Sequence, residues 1–168
     1  MPSPEKIVIN TGPILALVAA LGSLDLLRNL YKEVIVPYEI GQEIMAAGSS
    51  GFAIKEFTEA AWLTKREQPV WPHPFLSNSL DVGEASVIQL ALDEQIGTVC
   101  IDEALGRRVA RLNNLKLTGS VGILLRAKKE GHPVLLKESL LKMRGKGIWL
   151  GKRVVDFALN EAGEKTEL

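Results

Sequence analysis

The chain has 168 residues, 46% of them hydrophobic, with 20 Lys+Arg balanced by 20 Asp+Glu. That length and apolar content are enough to bury one compact core, so a single domain over residues 1–168 is expected. One cysteine, Cys100, set in an apolar run, excludes a disulfide framework and a cysteine metal site.

The zero net charge hides a segregation. Residues 1–105 carry 6 Lys+Arg against 14 Asp+Glu, and residues 106–168 carry 14 against 6. Between Arg107 and Arg153, 13 Lys+Arg accompany only two acids, Glu130 and Glu138. Either a polyanionic partner lies against the basic half or those residues form a solvated helical face. The apolar stretch Ile14 to Leu21 is too short to cross a bilayer and follows Asn-Thr-Gly-Pro, not a basic segment. A cytoplasmic protein with no membrane partner is expected.

In chain order, Lys6 to Ile9 is a β-branched run ending at Asn10, and Pro13 opens a helix to Leu21. After Gly22-Ser23, Leu24 to Leu30 reads as a helix, Glu33 to Val36 as a strand, and Pro37 to Ala47 as a helix. Gly48 to Gly51 reads as a flexible link to a short helix, Phe52 to Ala61, and carries no phosphate-loop ending. Lys65 to Ser79, with Pro69, Pro72 and Pro74, reads as irregular. Trp71 and Phe75 in it either stack on bases or pin the loop, while His73 and His132 have no partner at ligand spacing.

Asp81 to Arg111 then reads as a helix with Glu84 in its first turn, a buried strand Thr98 to Ile101 ending in Asp102, and a helix that turns basic. Lys116 to Thr118 is a weak strand before a helix at Val121 to Glu130. Two helices follow within residues 135–162, Leu135 to Met143 and Val154 to Ala162, and 163–168 reads as a frayed tail.

Strands alternating with helices predict an α/β fold: three layers, α/β/α, with a mainly parallel sheet of about four to five strands. Ligands of such sheets sit at the carboxyl ends of the strands, which puts Asn10 and Asp102 on one edge if their strands are neighbours. Glu43 borders the apolar stripe of its helix beside Ile44, and Glu84 completes the set. Oxygen ligands without histidine or cysteine suit Mg²⁺ or Mn²⁺, ions that serve phosphodiester hydrolysis. Simpler roles stand beside these: Asp81 and Glu84 fit a capping box, Asp102 can cap the next helix, and Asn10 can stabilise the turn before Pro13. Arg107, Arg108 and Arg111 start near Asp102 and are candidates for holding phosphates.

Ile7-Val-Ile-Asn-Thr-Gly-Pro-Ile-Leu-Ala-Leu, Val34-Ile-Val-Pro with Glu43 downstream, Asp81-x-Gly-Glu84-Ala and Ile101-Asp102-Glu-x-x-Gly106-Arg107 together resemble the PIN-domain family. The likeness runs over about residues 6–130 and is nearest to the stand-alone prokaryotic branch related to VapC-type toxins. It implies a Mg²⁺- or Mn²⁺-dependent endoribonuclease acting on RNA, an antitoxin protein as partner and a homodimer. Glu43, Glu84 and Asp102 match acidic site positions, with Asp81 as a supporting acid. Asn10 departs from the pattern, which has aspartate at the end of the first strand; the amide keeps an oxygen but loses a charge and cannot act as a base. A non-catalytic module that binds nucleic acid or an antitoxin is therefore the alternative. A small-molecule α/β enzyme is disfavoured by the missing glycine fingerprints. For the homodimer, Leu24, Leu27, Leu30 and Tyr31 are expected to present an exposed amphipathic face.

Overall fold

A computed structural model describes residues 5–47 and 51–165. The expected flexible link at Gly48 to Gly51 falls for the most part outside the described residues.

The first half of the described chain runs β1 (Lys6–Ile9), α1 (Thr11–Leu21), α2 (Asp25–Leu30), β2 (Glu33–Val36), α3 (Tyr38–Met45), α4 (Ile54–Glu59) and β3 (Thr64–Lys65). The second runs α5 (Pro74–Ser79), α6 (Val82–Asp93), β4 (Thr98–Cys100), α7 (Ala104–Leu112), β5 (Lys116–Thr118), α8 (Ser120–Lys129), α9 (Leu136–Gly145) and α10 (Lys152–Glu161). Among the described residues the strands form one parallel sheet in the order β3-β2-β1-β4-β5.

β1 is central because its apolar residues Ile7, Val8 and Ile9 are all fully buried, as strands covered on both faces require. Helices cover the sheet in two layers: α1 packs with α8 and α9, while α6 packs on β1 and β4 alongside α3, α5 and α7. The chain adds β2 and β3 on one side of β1, then returns to add β4 and β5 on the other. The reversal leaves a crevice between the carboxyl ends of β1 and β4, where open α/β sheets place their ligands. Ile9 pairs with Cys100, so Asn10 and Asp102 leave the sheet on the same edge.

Three expectations are corrected. The stretch read as irregular, Lys65 to Ser79, begins on the last residue of a strand and ends in a helix. β3 is only two residues long, too short to show a period. α5 begins at Pro74, with the His73 imidazole Nδ1 accepting the Phe75 N–H at 3.1 Å. Second, Leu24, Leu27, Leu30 and Tyr31 belong to the core, because α2 packs on β2 and α8. The amphipathic pattern was real, but its apolar side faces this chain's own sheet. Third, the expected frayed tail is tied down at Glu164. Its carboxylate accepts the N–H groups of Leu136 and Lys137 at 2.8 and 3.0 Å and pairs with Lys128 Nζ at 2.6 Å. Residues 166–168 lie outside the described residues.

α9 has no side-chain cap from its own N-cap residue, so Glu164 satisfies free amides that the helix leaves open. Burial works to raise the Glu164 carboxyl, but Lys128 and the two amides outweigh it and hold the group below its ordinary value. Its stabilisation is therefore present above the ordinary carboxylate range and lost as pH falls through it. Glu164→Ala is expected to lower the unfolding free energy by about 1–2 kcal/mol at neutral pH. Urea titration checks it; an unchanged midpoint would show that the tail does not hold α9.

Candidate metal and phosphodiester site

Among the described residues five helices, α1, α3, α6, α7 and α8, start at the carboxyl edge of the sheet. α1, α3, α7 and α8 follow directly from β1, β2, β4 and β5, and α6 runs back from that edge to precede β4. Their N-termini carry partial positive charge and free N–H groups, which favours acids there.

Asn10 occupies the N-cap position of α1 and is only 5% exposed, yet its side chain makes no capping bond. Its Oδ1 points instead toward the start of α6, 3.6 Å from where a β-carbon on Gly83 would stand. Glu43 reaches the same spot from α3: Ile40 and Ile44 bury their side of the helix, and Glu43 Oε2 lies 2.8 Å from that point. Glycine at position 83 is what lets the two oxygens converge.

The capping box at the start of α6 is half realised. Asp81 Oδ1 accepts the Glu84 N–H at 2.8 Å. The Glu84 side chain does not return a bond to the Asp81 N–H, and its Oε2 is buried with no hydrogen-bond partner among the described residues. Glu84 is 5% exposed and lies over Gly106 of α7, where any β-carbon would collide with it. Burial, and then the Asp81 and Glu103 carboxyls, to which only the protonated form can donate a hydrogen bond, push the Glu84 carboxyl up to about 8. A buried oxygen without a donor is unfavourable by about 1–3 kcal/mol, so Glu84 is not explained as a cap.

Asp102 does cap a helix, but not the one expected. Its Oδ1 accepts the Ser120 N–H and its Oδ2 the Ser120 hydroxyl, both at 2.8 Å, at the start of α8. α7, the helix that follows Asp102, has Glu103 at its N-cap and no side-chain cap. The Asp102 residue remains open to solvent while its carboxylate is crowded by protein. That crowding raises the carboxyl above its ordinary value despite Ser120 and Arg107, with Glu103 adding to the rise. A β-carbon on Gly119 would stand 2.6 Å from Asp102 Oδ1, so glycine keeps this contact open.

Arg107 holds the backbone together, because its Nη1 donates to the carbonyls of Ile101 at 2.7 Å and Thr118 at 3.2 Å and so ties the end of β4 to that of β5. Arg108 and Arg111 are exposed on α7. Trp71, 89% exposed, and Phe75 do not pin their loop. It is held by Val70 N–H donating to Glu39 Oε2 at 2.9 Å and His73 N–H to Gln89 Oε1 at 2.8 Å.

The described residues thus bring the oxygens into three neighbouring groups: Asn10 with Glu43 over Gly83, Glu84 with Asp81, and Asp102 with Ser120. Glu103, which was not singled out from sequence, connects the last two, since its charge acts on both Glu84 and Asp102. Asp81, Glu84 and Glu103 offer oxygens all within 4.8 Å of one another. The signal for it in the sequence is the Asp102-Glu103 pair at a strand end. A partnerless buried carboxylate oxygen among other acids, with no nitrogen or sulfur donor, fits a hard divalent cation.

Without a cation, Glu84 keeps its proton in the folded state well above its ordinary 4.5, up to about 8, while the unfolded chain loses it near 4.5. The folded state then binds more protons, so the stability of the metal-free protein falls as pH rises across that window. Glu84→Gln is expected to flatten the fall. Denaturation at a series of pH values in chelator checks it, and a slope that survives in the variant assigns it to other groups.

No curated protein matches this sequence. A family model described as PIN domain matches residues 6–164. PIN domains act on nucleic acids and generally use divalent metals. The match runs past residue 130, where the motifs thin out, and takes in the C-terminal helices up to the Glu164 lock; the chain belongs to the PIN-domain family.

Proposed function

We propose that the protein is an endoribonuclease that hydrolyses phosphodiester bonds with Mg²⁺ or Mn²⁺. The observation that carries the reading is Glu84: an acid that is buried and held protonated beside Asp81 and Glu103, and whose Oε2 has no donor among the described residues once the proton is lost. Glu84, Asp102 and Glu43 would hold the ion, with Asn10 as a weak neutral ligand and Asp81 and Glu103 in support. A cation bound there would lower the pKa of its water and neutralise charge on the scissile phosphate.

The chain's own groups do the rest. Ser120 fixes the orientation of Asp102 through two bonds to one residue. Arg107 keeps the strand end that carries Asp102 in place, and exposed Arg108 and Arg111 are available to the RNA backbone. The finer reading, a cytoplasmic toxin that pairs with an antitoxin and acts as a homodimer, rests on the likeness of the motifs to VapC-type proteins. Among the described residues, no helix is long and apolar enough to cross a membrane. Light scattering that shows only monomer at micromolar concentration counts against the dimer.

Asn10 favours a second reading, a module that binds nucleic acid or an antitoxin without cutting, because a neutral amide binds hard cations less tightly than carboxylate. Two variants decide between them. Asp102→Asn is expected to stay folded, losing about 1–2 kcal/mol from the Ser120 contacts. Its Mn²⁺-dependent RNA cleavage should drop about a hundredfold or more; full cleavage would remove Asp102 from the site. Asn10→Asp should bind Mn²⁺ about tenfold more tightly in calorimetry, since it adds a charge to the ligand set. Unchanged affinity would place Asn10 outside the metal site, and absence of any chelator-sensitive cleavage in the natural protein would leave the binding module.

A further inference from the structure

Asp81, Glu84 and Glu103 form a group of their own at the sheet edge, each offering an oxygen within 4.8 Å of the others. Asn10 and Glu43 converge instead over Gly83, and both Asp102 oxygens accept bonds from Ser120. Oxygens bound to one hard cation lie at most about twice a bond length of roughly 2.0–2.6 Å apart, so a single ion can reach all three carboxylates with small side-chain movements. Among the described residues none of the three makes a salt bridge, so no lysine or arginine at ion-pair distance offsets their repulsion.

Glu103 departs from what its own helix favours. It occupies the N-cap position of α7, where free amides attract a carboxylate, yet its side chain makes no capping bond. It lies beside two other acids instead. Asp81 accepts the Glu84 N–H through Oδ1, which leaves its second oxygen for another partner. Glu84, only 5% exposed, supplies an independent observation: its Oε2 is buried with no donor among the described residues. Gly106 gives that oxygen room, since a β-carbon there would collide with it. Two exposed carboxylates around a buried third make a site open to solvent, as an ion that keeps several waters requires.

We propose that Asp81, Glu84 and Glu103 hold a divalent cation of their own, Mg²⁺ or Mn²⁺, with Glu103 as a direct ligand. It lies beside the ion read from Asp102 and Glu43, and Glu84 is common to both. Affinity for hard cations follows the number of charged ligands, and in this chain the first strand ends in a neutral amide. Glu103 restores at the start of α7 the charge that Asn10 withholds at the start of α1. The use of this second ion in cleavage rests on the nuclease reading, but its binding does not.

The test counts Mn²⁺ on the full chain without RNA, by electron paramagnetic resonance of the free ion. The natural protein should bind two. Glu103→Gln should weaken one of them about tenfold or more and leave the other unchanged, whereas Asp102→Asn should spare the Glu103-dependent ion. Glu103 is exposed, so its variant should stay folded, and in EDTA its melting temperature should equal or exceed that of the natural protein because a like charge is gone. A lower value would make Glu103 a support of α7 and overturn the proposal. Equal Mn²⁺ binding by Glu103→Gln and the natural protein overturns it too, and leaves a cluster that only shares a proton. So does loss of all Mn²⁺ in Asp102→Asn, because the acids then serve one site. A natural protein with a single Mn²⁺ that is lost in Glu103→Gln and kept in Asp102→Asn shows the Asp102 site to be wrong while the Glu103 site stands.

Discussion

Asn10 donates its backbone N–H to the Cys100 carbonyl, 3.0 Å away, and so extends the pairing of β1 with β4 one residue past the sheet. Everything at the candidate site hangs from that parallel register. It sets Asn10 beside the turn carrying Asp102, and it lies where the strand order reverses, so no crossover helix covers the edge. A slip of one residue would turn Asn10 onto the opposite face and a buried isoleucine toward the acids.

An edge with this many carboxylates works against folding, and the chain offsets the repulsion locally. Asp102 lies against the N-terminus of α8, Asp81 against that of α6, and Glu103 sits at that of α7. Small residues supply the room: Gly83 lets Asn10 and Glu43 converge, Gly106 accommodates Glu84, and Gly119 clears Asp102. Among the described residues Glu84 Oε2 is buried without a donor, as are Thr11 Oγ1 at the start of α1 and Glu39 Oε1 at the start of α3, and Glu84 stays neutral by keeping its proton. A cation bound there would replace that proton and give the buried oxygen a partner.

The charge segregation along the chain becomes a spatial arrangement through α8. The acids sit at its start, where Ser120 holds Asp102, and basic residues follow on α9, α10 and the segment between them. Under the proposed function, a polyanion drawn to the basic half would be led toward the acidic edge, which would repel it without bound cations. Not every basic residue is free for this: Arg107 holds backbone carbonyls, Lys128 secures Glu164, and Arg126 pairs with Glu130 while its guanidinium lies over the Tyr31 ring.

Local pattern by itself determined the apolar strands, the helices between them and the acids at their ends, because burial on both faces leaves continuous β-branched runs and helix starts attract acids. It also determined the family, since the ordered motifs around Asn10, Glu43, Glu84 and Asp102 need no fold to be seen. Periodicity reports that a face is covered without saying by what, which is why Leu24, Leu27, Leu30 and Tyr31 read as an exposed surface while the sheet and α8 cover them. Only tertiary structure decided that β1 neighbours β4, that Asp102 serves α8 through Ser120, and that Glu103 joins Glu84. It likewise decided that Glu164 returns to cap α9. Those contacts join residues far apart in the chain or distinguish neighbouring carboxylates by orientation, and neither leaves a repeat or spacing in the sequence from which to read it.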